Sequence, residues 1–112
     1  SNGFEAQVAK IKATYQARRD AMLAALSRHM PEGVSWTKPD GGMFVWVTLP
    51  EGFDGAALLA ESIKTERVAF VPGKAFFADG SGANTIRLSF SCANEAMIEE
   101  GIKRLGRVVR GG

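Results

Sequence analysis

Apolar side chains at Phe4, Val8, Ile11, Tyr15, Met22 and Leu26 recur at spacings of three, four or seven, with charged residues between them. A 3.6-residue turn gathers such positions into one stripe, so the spacing predicts a long amphipathic helix over Phe4–Met30. Pro31 and Gly33 stop it, since proline has no N–H to donate and biases the preceding residue away from helical backbone. His29 is therefore expected at a helix C-terminus, where the macrodipole favours positive charge.

Beyond that stop the period changes. Val34–Trp36 is expected as a short strand, and Lys38-Pro39-Asp40-Gly41-Gly42 carries the residues of a tight turn. Met43–Leu49 then has apolar residues on both faces: Met43, Val45, Val47 and Leu49 on one, Phe44 and Trp46 on the other. That predicts a central strand covered twice, ended by Pro50 and Gly52. Asp54 is the expected N-cap of a helix running to about Glu66, with Leu58, Leu59 and Ile63 as its buried stripe. Val68–Val71 is a short apolar strand ended by Pro72-Gly73. Asp79–Asn84 is a loop by composition and leads into a strand at Thr85–Phe90. Asn94 or a neighbour caps a last helix whose Ile98, Ile102, Leu105 and Val109 lie at helical spacing. Glu95 near its start and Arg107 and Arg110 near its end suit the dipole. The order αββαββα predicts an α+β two-layer sandwich, helices packed on a small mixed sheet. The first helix is longer than so small a sheet can cover.

Composition narrows the function classes. A chain of 112 residues with 46% hydrophobic and 23% charged residues is expected to form one domain over residues 1–112. Ser1-Asn2 reads as the remnant of a cleaved tag, and with the abrupt helical start it suggests an excerpt of a longer protein. The formal charge is only +2, and the basic residues do not gather in a run, which gives little support to nucleic-acid binding. No apolar run reaches the roughly 18 to 20 residues needed to span a bilayer. The lone Cys92 cannot form an internal disulfide, and no Cys or His spacing suits zinc, so a reducing cytoplasm is the expected setting.

Alternation along Thr85-Ile86-Arg87-Leu88-Ser89-Phe90 sends Ile86, Leu88 and Phe90 to one face and Thr85, Arg87 and Ser89 to the other. Arg87 then projects from a rigid strand, and a guanidinium fork can bind a carboxylate through two parallel hydrogen bonds. A solvated strand arginine is the plain alternative, and the residues alone leave both open. The other candidates have plain readings too. Lys74 has nothing nearby to activate it as a Schiff-base lysine. Gly41-Gly42 lacks the spacing of a phosphate loop and reads as a turn. His29 has no triad context and receives no catalytic role, and Cys92, Trp36 and Trp46 read as core. No catalytic, metal or cofactor-binding residue emerges from the residues alone.

Three segments taken together resemble a known family: Lys38–Trp46 with Leu49-Pro50, then Val68–Phe76, then Asn84–Ser91. They are similar to the C-terminal small domain of class I, fold-type I, pyridoxal-phosphate-dependent aminotransferases. The likeness is to the 2-aminoadipate and aromatic aminotransferase branch, which includes the aminotransferase-like half of MocR-type regulators. Tyr15, Arg18-Arg19-Asp20 and Leu26 before Met30-Pro31 also fit, as does Glu100–Leu105. The resemblance implies that the parent protein transfers an amino group between an amino acid and a 2-oxo acid, with Arg87 binding the substrate α-carboxylate. It implies pyridoxal 5'-phosphate held by a large domain of the same chain, and a homodimer. The family's cofactor lysine lies in a serine- and lysine-bearing segment that does not occur here, and Lys74 does not match it. The isolated chain is therefore expected to hold no cofactor and to be inactive. A regulator whose aminotransferase-like half senses an amino acid or the cofactor is the alternative reading.

Overall fold

The computed structural model describes residues 2–66, 70–91 and 93–111. The expected strand at Val68–Val71 falls partly outside this set, as do Ser1 and Cys92. The order is α1 (Asn2–His29), β1 (Ser35–Trp36), β2 (Phe44–Thr48), α2 (Gly55–Thr65), β3 (Val71–Pro72), a 3₁₀ turn (Gly73–Phe76), β4 (Thr85–Ser89) and α3 (Glu95–Gly111). The helix boundaries follow the capping chemistry. The Asp54 carboxylate accepts from the backbone N–H of Ala56 at 2.9 Å and of Ala57 at 3.4 Å, meeting two donors that the first turn leaves unpaired. Asn94 does the same for Met97 N–H at 2.9 Å.

The four strands lie in the order β1-β2-β4-β3, and every pairing is antiparallel. The α+β two-layer arrangement is as expected, but the sheet is not mixed. The α2 crossover does carry β3 into the same direction as β2. The later strand β4 then inserts between them, antiparallel to both, so no parallel pair forms. β3 is left at the edge, which is why it tolerates Pro72, a residue unable to donate to a ladder.

One face of the sheet meets all three helices. Val45, Val47, Ile86 and Leu88 point inward and pack with Leu26 of α1, Leu58 of α2 and Ile102 and Leu105 of α3 in one buried cluster. Full burial of each such side chain is worth about 1.5–3 kcal/mol. The other face of β2 corrects the expectation of double cover: Phe44 is 39% exposed and Trp46 is part-buried outside that cluster. Trp36, by contrast, packs against the core as expected. In α2 the inward stripe is Gly55, Leu58 and Ser62, while Ile63 is exposed and Leu59 only partly covered. A one-residue shift turns a helix by about 100°, and here the close approach of Gly55 to Thr85 O and Ile86 sets that phase. The first helix outruns the sheet. Met22, Ala25 and Leu26 are buried, whereas Phe4 and Ile11 stay open.

The end of α1 crosses α3 at Gly106, where an added Cβ would lie 2.5 Å from His29 O. Glu99 of α3 pairs with Arg28 and lies 2.7 Å from His29 Nε2, while Arg110 donates to His29 O. His29 thus ends its helix within this cluster of contacts.

Glycine in an exposed helix interior costs about 0.5–1 kcal/mol against alanine. Gly101→Ala, with open space around it, should therefore raise the melting temperature, whereas Gly106→Ala should lower it. Thermal unfolding by circular dichroism checks this reversal of sign between two positions of one helix. Hydrogen bonds from Arg28 first, then His29, hold the Glu99 carboxyl down from 4.5 to about 2. A carboxyl depressed on folding contributes stability above its unfolded value and loses it as pH falls toward the folded one. Stability should thus decline between about pH 4.5 and 2, and Glu99→Gln should flatten that part of the denaturation profile.

Candidate functional site

Alternation in β4 buries Ile86 and Leu88 and sends Arg87 to the opposite, open face. There it is flanked on both sides, because Trp46 of β2 and Val71 of β3 are its register partners. A long side chain on a sheet also reaches its diagonal neighbours, and Arg87 does so: its guanidinium carbon lies over the Phe44 ring, 3.9 Å from the centroid. Phe44 pairs with Ser89, so the side chain leans toward the start of β2. On another side the same carbon is 5.0 Å from the Phe76 centroid.

Phe76 comes from the 3₁₀ turn, and two features hold it. Gly73 is buried so tightly against Thr85 that an added Cβ would fall 2.9 Å from the Thr85 Cβ and closer still to its hydroxyl. Trp46 then meets Phe76 edge-on, with centroids 5.3 Å apart and planes at 88°, and meets Phe77 at 6.4 Å. Phe44, Trp46, Phe76 and Phe77 thus form an aromatic surface with one cation set in it.

Among the described residues the cation has no ionic partner. Arg87 Nε is buried without a hydrogen bond. Leaving such a donor unsatisfied costs about 1–3 kcal/mol, and more for a charged group. The hydroxyls that share its face bond elsewhere: Thr85 Oγ1 donates to Gly82 O at 2.7 Å, and Ser89 Oγ is 2.9 Å from Ser91 Oγ. An anionic ligand with two coplanar oxygens is what this donor set can accept.

The remaining candidates scatter. Gly41 and Gly42 form an exposed bend just before β2, with Gly42 at a φ of 76° that favours glycine. Lys74 is exposed in the 3₁₀ turn. Sequence reasoning missed Phe44 and Phe76 as partners of Arg87. Strand parity would have placed Phe44 and Arg87 outward, but only the register brings them together. Among the described residues no three His, Cys, Asp or Glu side chains cluster to hold a metal, and no helix is long and apolar enough to cross a membrane.

Comparison with known proteins gives this geometry a context. The family model for class I and II aminotransferases matches residues 1–105. The aromatic-amino-acid aminotransferase 1 of Thermococcus litoralis is 51% identical over 107 residues, covering 96% of this chain and 25% of that protein. The 2-aminoadipate transaminase of Thermus thermophilus is 44% identical over 109 residues, covering 97% of this chain and 27% of that protein. Among solved structures, the α-aminoadipate aminotransferase of Thermus thermophilus, complexed with N-(5'-phosphopyridoxyl)-L-leucine, superposes with a TM-score of 0.90. It is 44% identical, over 97% of this chain and 28% of its own. The kynurenine aminotransferase of Pyrococcus horikoshii gives 0.89 at 51% identity, over 96% and 26%. The chain spans about a quarter of the length of the curated relatives it matches.

Proposed function

We propose, from the premise that this chain belongs to the class I and II aminotransferase family, that it is the C-terminal small domain of an enzyme transferring an amino group between an amino acid and a 2-oxo acid. In this reading Arg87 binds the substrate α-carboxylate. The observation that carries it is the buried, unpartnered Nε of an arginine held among aromatic rings on the open face of the sheet.

Pyridoxal phosphate, bound in the full-length protein, supplies the electron sink for such chemistry. The complex of the Thermus thermophilus relative with a phosphopyridoxyl amino acid supports that choice. Arg87 fits the carboxylate end of a substrate presented to the cofactor. Lys74, exposed in its turn, is not assigned to the cofactor's carbonyl, and no residue of this chain is assigned to hold the cofactor. The role left to the chain is orientation: two parallel N–H···O bonds fix both the position and the rotation of the carboxylate. We place the parent, with its large cofactor-binding domain, in the cytoplasm as a homodimer, a reading supported by the family resemblance and by the lone Cys92.

A second reading draws on the regulator YisV of Bacillus subtilis, an uncharacterized HTH-type transcriptional regulator 31% identical over 107 residues. In that reading the parent would use the same arginine to sense an amino acid. The higher identity of the named aminotransferases favours the enzyme. A winged-helix segment ahead of the cofactor domain in the parent sequence would reverse that preference.

Arg87→Ala in the full-length protein should lower kcat/KM for α-carboxylate substrates by about 10²-fold or more, the value of two charge-assisted hydrogen bonds. Arg87→Lys should recover only part of the loss, because it keeps the charge without the fork. Unchanged steady-state kinetics in Arg87→Ala would remove the assigned role. The 112-residue chain alone should show no transaminase turnover.

A further inference from the structure

We propose that Phe44 and Phe76 are positioning residues for Arg87, an aromatic clamp that holds the guanidinium in place before any carboxylate arrives. The inference rests on the reading of Arg87 as the carboxylate ligand and adds the device that prepares it.

A free arginine side chain loses much rotamer freedom when its fork is fixed, and a bidentate bond is made only in the correct orientation. An acid partner would fix the fork but would also compete with the substrate carboxylate. Stacking avoids that competition. An aromatic ring engages the face of the guanidinium plane, whereas a carboxylate engages its N–H edge, so both can be satisfied together. The structure supplies the ring contacts: the guanidinium carbon lies 3.9 Å from the Phe44 centroid and 5.0 Å from that of Phe76, while Nε is buried and unbonded. The clamp is itself braced, by Trp46 edge-on to Phe76 and by Gly73 packed on Thr85. Phe76 is 51% exposed and Phe44 39%, large apolar side chains that the core does not use. Neither contributes to the buried cluster that holds the fold.

In the full-length protein, Phe44→Leu and Phe76→Leu should raise KM for α-carboxylate substrates by about 2- to 30-fold, the range of a cation–π contact. The kcat should change less, and amine substrates lacking the carboxylate should be unaffected. Phe44→Tyr should restore KM, because it keeps the ring. If Phe44→Leu leaves KM unchanged while Arg87→Ala raises it, the clamp is wrong and the carboxylate role stands. If Arg87→Ala is also silent, both readings fail. Proton–nitrogen NMR of this chain gives a check that needs no variant to fold. Ring currents should shift the Arg87 Nε–H proton upfield of an ordinary arginine, and an ordinary shift would overturn the clamp.

Discussion

Pairing Trp46 with Arg87 across β2 and β4 sets the parity of both strands at once. With that register, Val45, Val47, Ile86 and Leu88 face the helices, and Phe44, Trp46 and Arg87 face away. A slip of one residue would reverse every one of them, sending the aliphatic residues out of the core and a guanidinium into it. Burial of four aliphatic side chains therefore enforces the position of one cation. Arg87 is placed by the hydrophobic effect acting on its neighbours, and no bond of its own is needed to hold it.

The helix layer makes that placement rigid. The second half of α1 and the inward stripe of α3 close over the sheet, and their crossing is tightened by Gly106 and by the Arg28, His29 and Glu99 cluster. Those groups are part-exposed, so solvent screens the Arg28–Glu99 pair, and their contribution is to the crossing geometry more than to net stability. On the open side the Arg87 guanidinium rests against Phe44 and Phe76, the contacts on which the proposed clamp depends.

Much of this was legible in the chain. The caps Asp54 and Asn94, the element order and the outward parity of Arg87 follow from local chemistry that acts within a few residues. What was not legible depends on distant contacts. Ser62 faces inward in place of Ile63 because Gly55 seats α2 against Thr85, a contact between segments far apart in the chain that no periodicity reveals. The sheet is antiparallel throughout because β4 inserts between β2 and β3, a choice among strand orders that the same elements would also permit. The apolar character of Phe44 and Trp46 suits a doubly covered strand as well as an open sheet face, and the alternation of residues does not tell the two apart. Phe76, set in a turn among glycine, alanine and lysine, gave no sign that it would meet Arg87.

Whether Arg87 is held ready for a carboxylate on the open face of the sheet is tested most directly by a crystal structure of the full-length protein with a 2-oxo acid bound. Two carboxylate oxygens should then lie in the plane of the guanidinium at about 2.7–2.9 Å from its nitrogens, with Phe44 and Phe76 still against it. A bound acid whose carboxylate is held by other residues, with Arg87 left unbonded, would contradict that role.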